Sequence, residues 1–118
     1  VLLPKFRRGS AARGAAVRLA RILVAARIAH LNCFYGYRIG KISIRNQKTR
    51  WGSCSRRGNL SFNYRLIYLP PAHQDYIIAH ELCHLGQFNH SKDFWALVAH
   101  AVPNAKLIRK ELRTKYVL

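Results

Sequence analysis

Three stretches of this sequence predict an α+β domain. Residues Ser10 to Leu31 repeat apolar side chains at helical spacing, residues 41–69 alternate them as strands do, and from Pro70 the helical period returns. The expected order is a helix, a small three-stranded antiparallel sheet, and three more helices. A length of 118 residues fits one domain, 1–118, and an apolar half of the composition is enough for a real core.

In the first helix Leu19, Ile22, Leu23, Ala26 and His30 fall at i, i+3, i+4, i+7 and i+11 and form the expected packing stripe. Arg13, Arg18, Arg21 and Arg27 occupy the other half of the wheel. Gly36 and Gly40 punctuate the chain, and Lys41–Asn46 alternates around Ile42 and Ile44 as a first strand. A turn at Arg56–Asn59 precedes two further expected strands, Leu60–Asn63 and Leu66–Leu69, with Leu60–Asn63 the expected free edge. Pro70-Pro71 ends the sheet and opens a helix whose Tyr76, Ile77, Ala79, Leu82 and Cys83 cover most of its circumference, so this helix should be buried. Gly86 and Asn89 are its stop signals. Ser91 is placed to cap the next helix, with Asp93 in the first turn and Phe94, Trp95, Leu97 and Val98 on its packing face. Pro103 stops that helix, and Asn104 opens a last one carrying Leu107, Ile108, Glu111 and Leu112.

Charge narrows the functional classes. Lys and Arg number 21 against 4 Asp and Glu, a formal +17. Such a surface draws acidic partners, nucleic acid or another polyanion among them, by long-range attraction, or simply keeps the domain dissolved. No apolar run approaches the roughly 18 residues of a membrane span. Three cysteines with no C-x-x-C exclude a disulfide framework and a cysteine-based zinc finger, and they fit a reducing cytoplasm. The chain opens on Val1 and holds no Met, so its natural start is expected upstream.

The chemistry concentrates in His80-Glu81-Leu82-Cys83-His84, an H-E-x-x-H. Two histidines four apart stand about 40° from each other on a helix, so both rings reach one ion from the same face. Composition alone predicts about 0.005 such matches by chance. The competing reading is a pair of core histidines bonded to carbonyls. His90, six residues after His84, tips the balance. On a continued helix it would sit about 120° round and 9 Å further on, so the chain must turn back for it to join the pair. Three histidines leave one tetrahedral position of a zinc ion for water, with Glu81 as the general base. Peptide hydrolysis follows naturally, with an extended substrate added to a sheet edge. Tyr64, Tyr68, His73 and His100 are the candidates for stabilising an oxyanion. Cys83 reads as a small buried hydrophobe.

Ile44–Ser55 (IRNQKTRWGSCS), Asn63–Leu66, His80–Leu85 (HELCHL) and Asn89–Trp95 (NHSKDFW) together resemble the YgjP-like metallopeptidase domain, a family related to the SprT and WLM zincins. The resemblance covers residues 41–112 and leaves 1–40 as an arginine-rich helical segment. It implies a minimal zincin fold, a zinc-dependent hydrolase, His80, His84 and His90 as ligands, and Glu81 as base. Two alternatives stand beside it. One is a basic nucleic-acid-associated module, or a protease acting on DNA-bound proteins. The other is a metal-dependent hydrolase of a phosphorylated small molecule. Oligomeric state is not readable from the sequence.

Overall fold

The computed structural model describes all 118 residues. Helix α1 (Ala11–Tyr35) is followed by strands β1 (Ile42–Arg45), β2 (Gly52–Cys54) and β3 (Leu60–Asn63), a 3-10 turn (Tyr64–Tyr68), and helices α2 (Pro71–His84), α3 (Lys92–Ala101) and α4 (Ala105–Thr114). No helix is long and apolar enough to cross a membrane.

The α+β expectation holds, but the sheet is mixed. Its order is β1-β3-β2, with β1 parallel to β3 (Ile42 opposite Leu60) and β2 antiparallel to β3 (Gly52 opposite Phe62). Leu60–Asn63, expected at the edge, is the central strand. Leu66–Leu69 is not a strand. The Asn63 side chain accepts from the Arg65 amide at 3.0 Å and turns the chain into the 3-10 coil. Gln74 of α2 then donates to the carbonyls of Leu66 and Leu69, both at 3.1 Å, so these groups find a side chain rather than a strand. The third strand is instead Gly-Ser-Cys, three residues with little intrinsic strand preference, held by pairing with β3.

Helix α1 packs through a different face from the one expected. Ala16, Ala20, Val24, Ile28 and Leu31 are buried, whereas Leu19 and Ile22 are 59% and 69% exposed. Apolar residues also recur at 16, 20, 24, 28 and 31, between the arginines, so two stripes satisfy the helical period. The winning stripe begins with alanines, which let the backbone approach Tyr64 and Ile67 closely. Arg27 on its flank forms a two-pronged pair with Asp75 of α2, both contacts at 2.8 Å. Before α1, the buried Arg65 guanidinium holds the chain by the carbonyls of Pro4 (3.0 Å) and Leu3 (3.1 Å).

The main core gathers Val24, Ile28 and Leu31 of α1, Leu60 and Phe62 of β3, Ile78 and Leu82 of α2, Phe94 and Val98 of α3, and Ile108 of α4. Helix α2 lies at its centre, between α1, the sheet and the C-terminal helices, so whatever α2 presents is set on a rigid support. Ser91 caps α3 as expected, accepting from the Phe94 amide at 3.3 Å.

Candidate metal centre

Helix α2 ends at His84, earlier than Gly86. The backbone N–H groups of Leu85, Gly86 and Gln87 close it by donating hydrogen bonds to the carbonyls of Leu82 and Cys83. Gly86 has ordinary negative φ, so its smallness is a matter of space: a Cβ there would lie 2.6 Å from the Tyr37 hydroxyl. The chain then doubles back and brings His90 Nε2 to 3.1 Å from His84 Nε2. One ring nitrogen from each of His80, His84 and His90 falls within 4.8 Å of the others.

The rings are held by their other contacts. His84 Nδ1–H donates to the Gln87 carbonyl at 3.1 Å, which leaves Nε2 with its lone pair toward the centre. His80 Nδ1 stands 3.1 Å from Glu81 Oε2, and because an ionised carboxylate only accepts, His80 donates through Nδ1 and keeps Nε2 as its lone-pair nitrogen. Phe94, from the first turn of α3, stacks on His84 with centroids 4.5 Å apart and meets His80 edge-on; Trp95 stacks on His90 at 5.7 Å. Burial lowers the pKa of His84, and the neighbouring His80 lowers it further. His90 is lowered for the same two reasons, with added repulsion from His84 and Arg109. Both imidazoles are therefore biased to the neutral, metal-binding form.

Glu81 is 5% exposed and faces Gly52 of β2. A Cβ on residue 52 would lie 3.0 Å from Glu81 Cγ and 3.2 Å from Oε2, so only glycine lets the carboxylate come this close to the strand. The cavity above the histidines is walled by β2 residues Gly52, Ser53 and Cys54, and by Arg50 and Phe88. It continues past Trp51 and Tyr76 toward Leu112 of α4. Burial raises the Tyr76 phenol to about 12 against the opposing pull of Arg109, while Glu81 adds to the rise and Arg113 opposes it.

None of the four residues expected near an oxyanion borders the histidine cavity. Tyr64 is fully buried beside α1 and accepts from the Phe6 amide; Tyr68 lies in the 3-10 turn. His73 pairs with Glu111 at 3.0 Å, and His100 packs edge-on against Phe34. Cys83 is wholly buried in the core, its thiol pushed up to about 11 by burial, and is not part of the histidine cluster. Arg50, Ser53 and Tyr76 are the cavity residues that sequence reasoning passed over. The signal for the first two was present, since both lie in the Ile44–Ser55 block that frames Trp51 and Gly52.

A buried H-E-x-x-H helix, a third histidine on the segment that doubles back, and a small sheet whose edge borders the cavity define a zincin-like metallopeptidase. The chain belongs to the YgjP-like metallopeptidase domain family, whose match runs over residues 6–115 and so includes the arginine-rich first helix. Among solved structures it is similar to the metallopeptidase zymogen of Pyrococcus abyssi abylysin, at 30% identity and TM-score 0.70 over 78% of this chain and 93% of that one. The metallopeptidase zymogen of Methanocaldococcus jannaschii jannalysin shares the fold, at 19% identity and TM-score 0.67 over 80% and 97% of the two chains. No curated protein matches the chain.

Proposed function

We propose that this metallopeptidase is a zinc enzyme in which His80, His84 and His90 hold the ion and Glu81 is the general base. The convergence of three imidazole nitrogens beside one buried carboxylate carries the reading. The donor set suits zinc. Imidazole nitrogen is an ordinary zinc donor, and one from each of His80, His84 and His90 lies within 4.8 Å of the others. Three ligands leave one position open, as hydrolysis requires.

Zinc bound here supplies Lewis acidity, polarising a carbonyl and acidifying water. The remaining work falls to the chain. Gln87 fixes the His84 tautomer, and Phe94 and Trp95 hold the rings in place. The free edge of β2 receives an extended peptide by strand addition, which sets the scissile carbonyl along the cavity. The Glu81 carboxylate takes the proton of the attacking water and returns it to the leaving amine nitrogen.

Elemental analysis of the purified protein and of His90→Ala, with peptide hydrolysis by wild type and Glu81→Gln, tests this. Near-stoichiometric zinc that drops in His90→Ala, and hydrolysis lost in Glu81→Gln with zinc retained, are the expected results. A wild-type protein that takes up no zinc on reconstitution overturns the proposal.

A further inference from the structure

The four side-chain carboxylates can each be located. Asp75 is committed to Arg27, Glu111 to His73 and Glu81 to His80, and Asp93 lies in the exposed first turn of α3. None of these side chains pairs with the cations that line the extension of the catalytic cavity. That extension, about 390 Å³, runs over Trp51 and Tyr76 and is bordered by Lys48, Arg109 and Arg113, with Val117 and Leu118 closing one side. Arg50 stands where it joins the histidine cavity and lines both the latter and the passage between. Arg109 is held over the Trp95 ring at 4.8 Å, so its charge is fixed in place rather than waving in solvent. None of Lys48, Arg50, Arg109 and Arg113 pairs with an acid.

We propose that this basic extension of the cleft is a subsite for acidic side chains, so that the peptides accepted at the metal centre carry Asp or Glu to one side of the scissile bond. The inference rests on the peptidase reading above and adds its substrate class. The chemistry is complementary on both counts. Trp51, Tyr76 and Leu112 give an apolar floor for the stem of a glutamate, and the guanidinium forks receive its carboxylate in charge-assisted bonds. An anionic side chain also brings a counter-charge to cations that pair with no acidic side chain. A basic or neutral peptide does not.

Binding and cleavage are measured separately. The zinc-loaded Glu81→Gln protein is titrated by fluorescence anisotropy with a short labelled peptide containing glutamates and with its glutamine isostere. The same pair is offered to the wild-type enzyme for cleavage. The acidic peptide is expected to bind about tenfold tighter than its isostere, as one or two charge-assisted hydrogen bonds provide. Arg50→Gln and Arg113→Gln, each added to Glu81→Gln, should collapse that ratio toward one. Arg18→Gln, a distant exposed cation on α1, should leave it unchanged. Equal binding of the two peptides overturns the subsite, as does a ratio that Arg18→Gln lowers as much as the cleft variants do. A short single-stranded oligonucleotide that binds through Arg50 and Arg113 when the acidic peptide does not also overturns it. If the ratio behaves as expected but wild type cleaves neither peptide, the peptidase reading fails and the anion subsite stands.

Discussion

Gly52→Ala probes the closeness of β2 to Glu81, the proposed general base. The added methyl would sit 3.0 Å from Glu81 Cγ, 3.1 Å from the Ser61 carbonyl oxygen and 3.2 Å from Glu81 Oε2, all short of ordinary contact. The Ser61 carbonyl belongs to the central strand and cannot yield cheaply. Glu81 is a side chain and can, so it swings away by a few tenths of an ångström. A general base contributes about 10²–10⁴-fold, and misplacement by about 1 Å costs about 10²-fold. A smaller shift should therefore lower kcat/KM by about ten- to a hundredfold, or about 1.4–2.7 kcal/mol of transition-state stabilisation. The assay is hydrolysis of a quenched fluorogenic peptide, read beside zinc content and thermal unfolding. His80 and His84 are not touched by the new methyl, so zinc should stay near one per chain. Wild-type kcat/KM in the variant would show that the methyl fits without displacing Glu81. Activity lost together with zinc would refute the reasoning, because the strain would then lie in α2 and not in Glu81.

Val24→Ala should destabilise the fold by about 2 kcal/mol, because Val24 is fully buried, while Ile22→Ala, 69% exposed, should change it by less than about 0.5 kcal/mol; urea unfolding of the two checks which face of α1 packs. Arg65→Met should cost about 2 kcal/mol by orphaning the carbonyls of Leu3 and Pro4, and amide exchange before residue 10 should quicken with it. Burial raises the thiols of both Cys54 and Cys83 to about 11, from an ordinary 9.0. At pH 8 a thiol of pKa 11 is about 0.1% thiolate where an ordinary one is about 10%. Iodoacetamide should thus label exposed Cys33 first, and Cys54 should become reactive only as pH rises toward 11. Equal labelling of Cys33 and Cys54 at pH 8 would contradict that.

Local chemistry was the most legible part of this fold. Ser91 with Phe94, Pro71 at the head of α2, and the meeting of His80 with His84 depend on residues one helical turn apart, and short spacing carries that information. The approach of His90 was legible for a different reason: a straight helix would carry it away from the pair, so a turn was required. What stayed hidden depends on distant partners. Leu66–Leu69 has a strand's composition, yet Gln74, on another element, takes its carbonyls. Gly52–Cys54 has a poor composition for a strand, yet β3 makes it one. On α1 two apolar stripes have helical spacing, and packing against Tyr64, Ile67 and the main core selects the one that begins with alanines. The oxyanion candidates fell away because aromatic and histidine side chains also serve as core and pairing residues, which residue type alone does not reveal.

Asn63, fully buried at the end of β3, holds the connection between β1 and β2 by its backbone, donating to the carbonyl of Gln47 at 2.8 Å and reaching that of Arg50. A loop gripped through its carbonyls keeps its path whatever side chains it carries. Residues 48–50 are exposed, and two of the proposed subsite cations stand on them. With the proposed subsite, exchanging a few exposed residues on this clamped segment should change substrate preference while α2 and its packing are left alone. For engineering, residues 48–50 form a cassette, and Asn63 is the residue to leave fixed.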